Sequence, residues 1–477
     1  MNLIKHPRHL HFKKHGERYL AEGKPIFVVL GLAIPSFFAQ LVNVLYSVVD
    51  RIYIGHMEAV GSIALAGVGV CGPIVTLIAS FGTLIGLGGS PTMSIRLGEG
   101  NKEEAKRILN NGALMLVVLS VILTGVVFAF RMPILHLFGA GGESEIYADE
   151  YFTWYSVGTL FAVLSTGLNN FIVGQGYGKT GMATVLVGAV ANIALDPLFI
   201  FTFGMGVRGA AIATVISQFL SALFTVLVLL NKRTLVTIGF GGYSLRVMRN
   251  IFTLGLSPFL IIATDSALVL ALNGVLRIHG GDQADAMIAA TTIMLSFMQI
   301  VTLPMGGISG GTQPAISYNY GANQPARVKR CQLYILLLCL GYAVIMFFLA
   351  RFAAHPILSV FTDDAALLAT SERYLKIYTM MLIPLAFQYA FVDGVTALGI
   401  APAAISISLF RKIVLMLPLT LILPAVFGAE SVFYAEPIAD GIGGMVSTIV
   451  YLLLINRLLR KRAEAVRKAQ AATKIPG

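Results

Sequence analysis

The sequence predicts an all-α polytopic membrane protein, with twelve transmembrane helices in two six-helix halves related by a parallel pseudo-two-fold repeat. Three observations carry that prediction. Hydrophobic residues fill 57% of the 477 positions and charged residues only 12%, whereas a soluble domain carries roughly 25% charged residues. Too little charge is available to cover a water-facing surface of this size, so most of the outer surface faces lipid. The apolar residues are gathered into stretches long enough to cross a bilayer, and the chain resembles itself at one fixed offset.

A membrane-crossing helix needs about 20 mainly apolar residues. Twelve candidates fall at about 26–52, 60–95, 108–130, 151–173, 182–203, 209–230, 251–276, 284–316, 331–350, 373–398, 401–425 and 434–456. The first follows a basic segment ending at Lys24, with no short apolar core and small-residue cleavage site, so it is expected to be retained. The second and eighth are long and rich in Gly and Pro, which predicts tilt, a kink or extension beyond the bilayer. The third lies between the basic loop 96–107 and Arg131, and the fourth and fifth are parted near Lys179. The sixth ends at Lys232 and Arg233, and the seventh begins after Arg249. The ninth runs from Arg330 to Arg351, the tenth opens at Arg373, and the twelfth ends at Arg457. None shows the alternation of an outer-membrane strand. The resulting division is a basic tail at 1–24, a half at 25–230, a linker at 231–250, a second half at 251–456 and a basic tail at 457–477.

The net charge of +11 is a sidedness signal rather than a nucleic-acid footprint. With the N-terminus on the cytoplasmic side, 25 basic residues fall on that side and 7 on the other, leaving Arg411 and Lys412 inside the eleventh span. This predicts a multi-pass protein of the cytoplasmic (inner) membrane with both termini inside. Its expected partners are the lipid bilayer and small molecules, with no nucleic acid, and it is expected to be a monomer.

The repeat appears on a shift of 223 residues. Pro35 then meets Pro258, and Gly88, Pro91, Ser94 and Gly98 meet Gly311, Pro314, Ser317 and Gly321. Tyr151 meets Tyr374, and Gly176 meets Gly399. Six spans per half is an even number, so both halves enter from the same side. Transporters built this way place substrate near the midplane and rock one half against the other.

Polar residues inside spans are functional suspects. Asn43, Tyr46 and Asp50 share one face of the first span, where the alternative for Asp50 is an interfacial pair with Arg51. Asn192 and Asp196 share a face of the fifth span just before Pro197, where a helix-kink motif is the alternative. Thr214 lies in a small-residue run that also suits helix packing. Asn169 and Asn170 suit a site or interhelical hydrogen bonding. The repeat sets Asp393 opposite Asn170 and Asp265 opposite Val42, so both charges belong to one half only. For Asp265 and Asp393 a buried ion pair or a water-filled cavity stands beside a functional role. Met294, Met298 and Gln388 are candidates for a forgiving cavity, with ordinary packing as the alternative. Pro35 is a candidate hinge or a static kink. Carboxylate, amide and hydroxyl oxygens together suit a proton or a hard cation such as Na⁺.

Other signals carry less. The glycine runs at 86–89 and 306–311 have no preceding strand and are not phosphate loops. Cys71, Cys331 and Cys339 read as small buried side chains. His6, His9, His11 and His15 belong to a solvated basic tail. No Walker motif or catalytic constellation is present, so neither an enzyme nor a cofactor is expected.

The segment Asn192-Ile193-Ala194-Leu195-Asp196-Pro197-Leu198-Phe199-Ile200-Phe201, with Gly206, Gly209 and the run to Thr214, resembles the multidrug and toxic compound extrusion (MATE) family. Pro35, Tyr46 and Asp50 followed by Arg51 to Gly55, and the loop from Leu97-Gly98 to Arg107, fit the same family, and the resemblance covers nearly the whole chain. It implies the MATE fold and a cation-coupled (H⁺ or Na⁺) antiporter that exports amphipathic, often cationic, organic compounds. Similarity to the DinF-type branch implies cation coupling at Asp50, Asn192, Asp196 and Thr214, with Asn170 or Asn169 and Tyr46 beside them, possible Na⁺ at the first four, and bending at Pro35. Asp265 and Asp393 do not match the acidic motif of the NorM-type branch. A lipid-linked precursor or polysaccharide flippase of the same superfamily is the alternative.

Overall fold

The computed structural model of the protein describes residues 18–55, 57, 61–362 and 364–473. The histidines of the N-terminal tail and the side chain of Arg51 lie outside the described residues. The first half comprises α1 (Pro25–Gly55), α2 (Gly61–Gly98), α3 (Lys102–Leu137), α4 (Ser144–Gly174), α5 (Gly178–Pro197) and α6 (Gly206–Leu230). The second comprises α7 (Leu245–His279), α8 (Ala284–Gly311) with α9 (Gln313–Gly321), α10 (Pro325–Phe352), α11 (Ala365–Tyr378) with α12 (Leu382–Ala397), α13 (Ala401–Leu409) with α14 (Leu417–Phe427), and α15 (Ala435–Thr473). Among the described residues, eleven helices are long and apolar enough to cross a membrane, and the pair α11–α12, bent by 54°, makes a twelfth.

Local chemistry sets the boundaries. Asn101 caps α3 by accepting from the Glu104 N–H at 3.0 Å, with Glu103 and Glu104 in the first turn facing the helix dipole. Asp364 caps α11 in the same way, accepting from the N–H groups of Ala366 and Leu367. The charged ends explain why α3 outruns the apolar stretch at 108–130: hydropathy marks the part in hydrocarbon, not the part in the headgroups. The eighth span breaks at Thr312, just before Pro314, which has no N–H to continue the ladder. The eleventh passes through a π-helical segment, Phe410–Met416, and the fifth ends in another, Leu198–Thr202. The twelfth does not stop near 456 but continues as one helix to Thr473.

The repeat is visible in matched contacts. Ser94 donates to the Gly174 carbonyl at 2.5 Å, and Ser317, 223 residues on, donates to the Ala397 carbonyl at 2.7 Å. A methyl built on Gly98 would sit 2.0 Å from the carbonyl oxygen of Tyr318, and one on Gly321 would sit 2.0 Å from that of Ile95. These two approaches exchange under the same offset, so they straddle the pseudo-two-fold axis. Elsewhere a methyl on Gly88 would meet Ile251, one on Gly255 would meet Leu84, and one on Gly307 would meet Ser36. All these junctions between halves lie toward the face that carries both chain ends, here the termini face.

Polar contacts reinforce that closure. Arg462 of α15 pairs with Glu99 of the first half at 2.7 Å and donates to the Gly321 carbonyl at 2.6 Å. Arg327 donates to the Leu20 and Gly23 carbonyls at 3.1 and 2.8 Å. The linker is strapped to the first half: Asn110 accepts from Gly239 N–H, Asn111 from Ser244 N–H and Gln175 from Val236 N–H, each at 2.9 Å. Replacing Arg462 by Ala is expected to remove about 1–3 kcal/mol from the closed face, the worth of hydrogen bonds to a charged group. Amide hydrogen exchange over 96–101 and 318–324 should quicken, with little change at 428–434.

Candidate functional site

The first half assembles its polar residues where α1, α5 and α6 meet. Asn192 and Asp196 stand one turn apart on α5 and are 3% and 0% exposed. The Asn192 side-chain N–H₂ donates to Asp196 Oδ1 at 3.1 Å and to Thr214 Oγ1 of α6 at 3.4 Å. That donor is therefore fully used. The Asn192 carbonyl Oδ1 and the second carboxylate oxygen of Asp196 are buried with no hydrogen-bond partner in the protein. Buried acceptors left this way cost free energy unless something supplies a positive charge or a proton. Asp50 is also buried on α1, and it and Tyr46 lie within electrostatic range of Asp196. Asn192, Asp196 and Thr214 thus form one hydrogen-bonded group in a low-dielectric region, with the Asp50 carboxylate buried on α1 in its electrostatic neighbourhood. The donor set is all oxygen, which fits a proton or a small hard cation.

The structure extends this group to α4. Gln218 of α6 donates to the Tyr155 hydroxyl of α4 at 3.3 Å, and Tyr151 is buried one turn before Tyr155. The two tyrosine rings stack at 6.2 Å. Sequence reasoning used Tyr151 only as a repeat marker and passed over Tyr155 and Gln218. Their signal was the i, i+4 placement of two tyrosines on one face of a span.

Other predicted residues are placed differently. Asn43 donates to Gln40 along its own helix at 3.2 Å. Asn170 donates to the Thr166 carbonyl at 2.9 Å and packs against Gly86 of α2. Asn169 turns toward Gly181 of α5, its carbonyl oxygen buried without a hydrogen-bond partner. Helix α1 runs through Pro35 as one element.

In the second half, Met294 and Met298 are buried beside Phe297 in the α8 core. Asp393 accepts from the Gln313 amide at 3.1 Å. Asp265 is ion-paired with Lys412, and Arg411 bridges Glu436 and Asp440. The guanidinium donates to Glu436 at 2.6 Å through Nη2 and to Asp440 at 2.8 Å through Nε. Of the two alternatives for Asp265, the structure shows the ion pair. Glu436 and Asp440 escaped sequence reasoning because they sit at the mouth of the twelfth span, where acids are ordinary; their i, i+4 spacing was the available clue. Replacing Arg411 by Met is expected to cost about 3–5 kcal/mol, because two buried carboxylates lose their shared partner. A clear drop in melting temperature in detergent would register it.

With this geometry in view, the similarities are informative. The family model described as MatE matches residues 35–198 and again 263–422, one match in each half. A multidrug export protein, MepA, of Staphylococcus saprophyticus is 25% identical over 457 residues, covering 94% of this chain and 99% of its own. The MepA of Staphylococcus aureus is 25% identical, covering 95% and 99%. Among solved structures, an outward-facing multidrug resistance MATE transporter of the MOP superfamily superposes with a TM-score of 0.84 at 24% identity, covering 92% of this chain and 98% of that one. A MOP superfamily transporter from Pyrococcus furiosus gives 0.85 at 23% identity, covering 92% and 98%. With more than half its length matched, in two segments that reproduce the internal repeat, the chain belongs to the MatE family of membrane transporters, which are not enzymes.

Proposed function

We propose that the protein is a cation-coupled antiporter that exports amphipathic, often cationic, organic compounds by alternating access. The observation that carries this reading is the buried Asn192–Asp196–Thr214 group, with two acceptor oxygens that the protein itself leaves unmet. A proton on Asp196, or Na⁺ held by the oxygens of Asp50, Asn192, Asp196 and Thr214, would satisfy them. An ion that binds one conformation better than the other biases the equilibrium between them, and no further device is needed for coupling. The names of the MepA relatives support multidrug export as the cargo class.

Placement follows from charge. The 25-to-7 split of basic residues supports a cytoplasmic-membrane protein with both termini inside; the proposed working unit is the monomer. The termini face is then cytoplasmic, and the glycine junctions between the halves lie on that side. Substrate is taken up between the halves or within the first half, and Pro35 provides a point at which α1 can bend.

The test is dye efflux from proteoliposomes under a pH gradient alone and then a Na⁺ gradient alone. Efflux driven by one of them supports the reading and names the ion. Absence of transport under both sinks it.

A further inference from the structure

The two halves build their charged clusters on equivalent elements. The first uses the first, fifth and sixth spans: Asp50 on α1, Asn192 and Asp196 on α5, Thr214 on α6. The second uses the seventh, eleventh and twelfth: Asp265 on α7, Arg411 and Lys412 in the π-helical segment, Glu436 and Asp440 on α15. In each half the middle element of the three carries a π-helical stretch. The chemistry is reversed at one point only. Among the described side chains the first cluster has acceptors and no basic group, whereas the second carries its cations in the chain.

Those two cations are held differently. Arg411 is clamped between Glu436 and Asp440, whose side chains are 7% and 2% exposed. Lys412 is 7% exposed, but the Asp265 side chain it pairs with is 49% exposed. A half-exposed carboxylate in the middle of a span faces the bundle interior or a water-filled cavity rather than lipid. Glu436 and Asp440 are both taken by Arg411, so Asp265 is the carboxylate that holds the Lys412 ammonium. The buried Gln388 carbonyl has no hydrogen-bond partner and sits with Arg411 against Gly443. Three carboxylates face two cations, so the cluster has room for one more positive charge.

We infer that Lys412 is a built-in competitor for Asp265, and that an organic cation entering the second half displaces the Lys412 ammonium from the half-exposed Asp265 carboxylate. This rests on the reading that the protein accepts cationic compounds, and it adds the residue that sets their affinity. A tethered cation lowers apparent affinity by the fraction of time it occupies the carboxylate. It also offers a release step, because the returning ammonium displaces the bound cation.

The experiment measures binding of tetraphenylphosphonium, and of its isosteric anion tetraphenylborate, to the purified full chain in nanodiscs. Lys412→Gln is expected to tighten tetraphenylphosphonium binding about tenfold, the effect of freeing a carboxylate occupied nine-tenths of the time. Tetraphenylborate should bind no tighter. Asp265→Asn is expected to weaken phosphonium binding, and the double variant should bind as weakly as Asp265→Asn alone. Lys412→Met, which keeps the aliphatic stem, serves as a second variant, and melting temperatures confirm folding of each. Unchanged or weaker phosphonium binding in both folded Lys412 variants overturns the inference, as does an equal gain for the anion. These outcomes are independent of coupling: a wild-type protein that transports under neither gradient removes the antiporter reading and leaves the binding comparison intact.

Discussion

Asp196→Asn is expected to lower gradient-driven efflux by on the order of tenfold to a hundredfold, the span of a typical coupling free energy between two sites. The substitution keeps volume and removes charge. Asn192 has already committed its amide N–H₂ to Asp196 Oδ1 and Thr214, at 3.1 and 3.4 Å. An amide at 196 still accepts that bond but offers no carboxylate to a proton or a cation. Folding should survive, since a neutral amide is less costly to bury than a charge. Three measurements separate the effects: the initial rate of dye efflux from proteoliposomes, the melting temperature, and equilibrium dye binding without a gradient. The first should collapse while the other two hold. Wild-type efflux in the variant under either gradient would move the coupling role away from Asp196.

A second large effect is expected where the halves cross. Gly98→Val and Gly321→Val each drive a side chain into a backbone carbonyl, since even a methyl would sit 2.0 Å from its neighbour. Backbone cannot turn aside as a flexible side chain can, so the termini face must part. Overpacking of this kind costs about 1–3 kcal/mol, which shifts a two-state equilibrium by roughly 5–150-fold. Spin labels at Lys102 and Lys329 should report a longer distance, and transport should fall because one state is now disfavoured. The pseudo-symmetry sharpens the test: the two variants should behave alike, although they lie in different halves. A distance unchanged in both would show that the close approach is not what holds this face together.

Much of the architecture was legible in the sequence, because lipid imposes a simple rule. Apolar length marks a span, and Pro and Gly shared at one offset mark the repeat. What hydropathy misses is what happens inside a span: the break at Thr312, the bend between α11 and α12, and the π-helical turns at 198–202 and 410–416. Each replaces one helical hydrogen-bond pattern by another without changing apolarity. The site was partly legible for a related reason. Asn192 and Asp196 betray themselves by being polar at lipid depth and one turn apart. Tyr151, Tyr155 and Gln218 do not, because tyrosine and glutamine are common near membrane surfaces and the meeting of α4 with α6 is a tertiary fact. Nor could spacing show that Arg411 and Lys412 have partners on two different helices.

The strap formed by residues 236–244 also bears on biosynthesis. Its partners, Asn110, Asn111 and Gln175, all precede it in the chain. A ribosome that has passed residue 250 by the length of its exit tunnel has therefore released everything needed to fasten the first six helices together. Fastening the first half at that face therefore asks nothing of the helices from α8 onward, and the glycines of α2 against which α7 packs belong to that half.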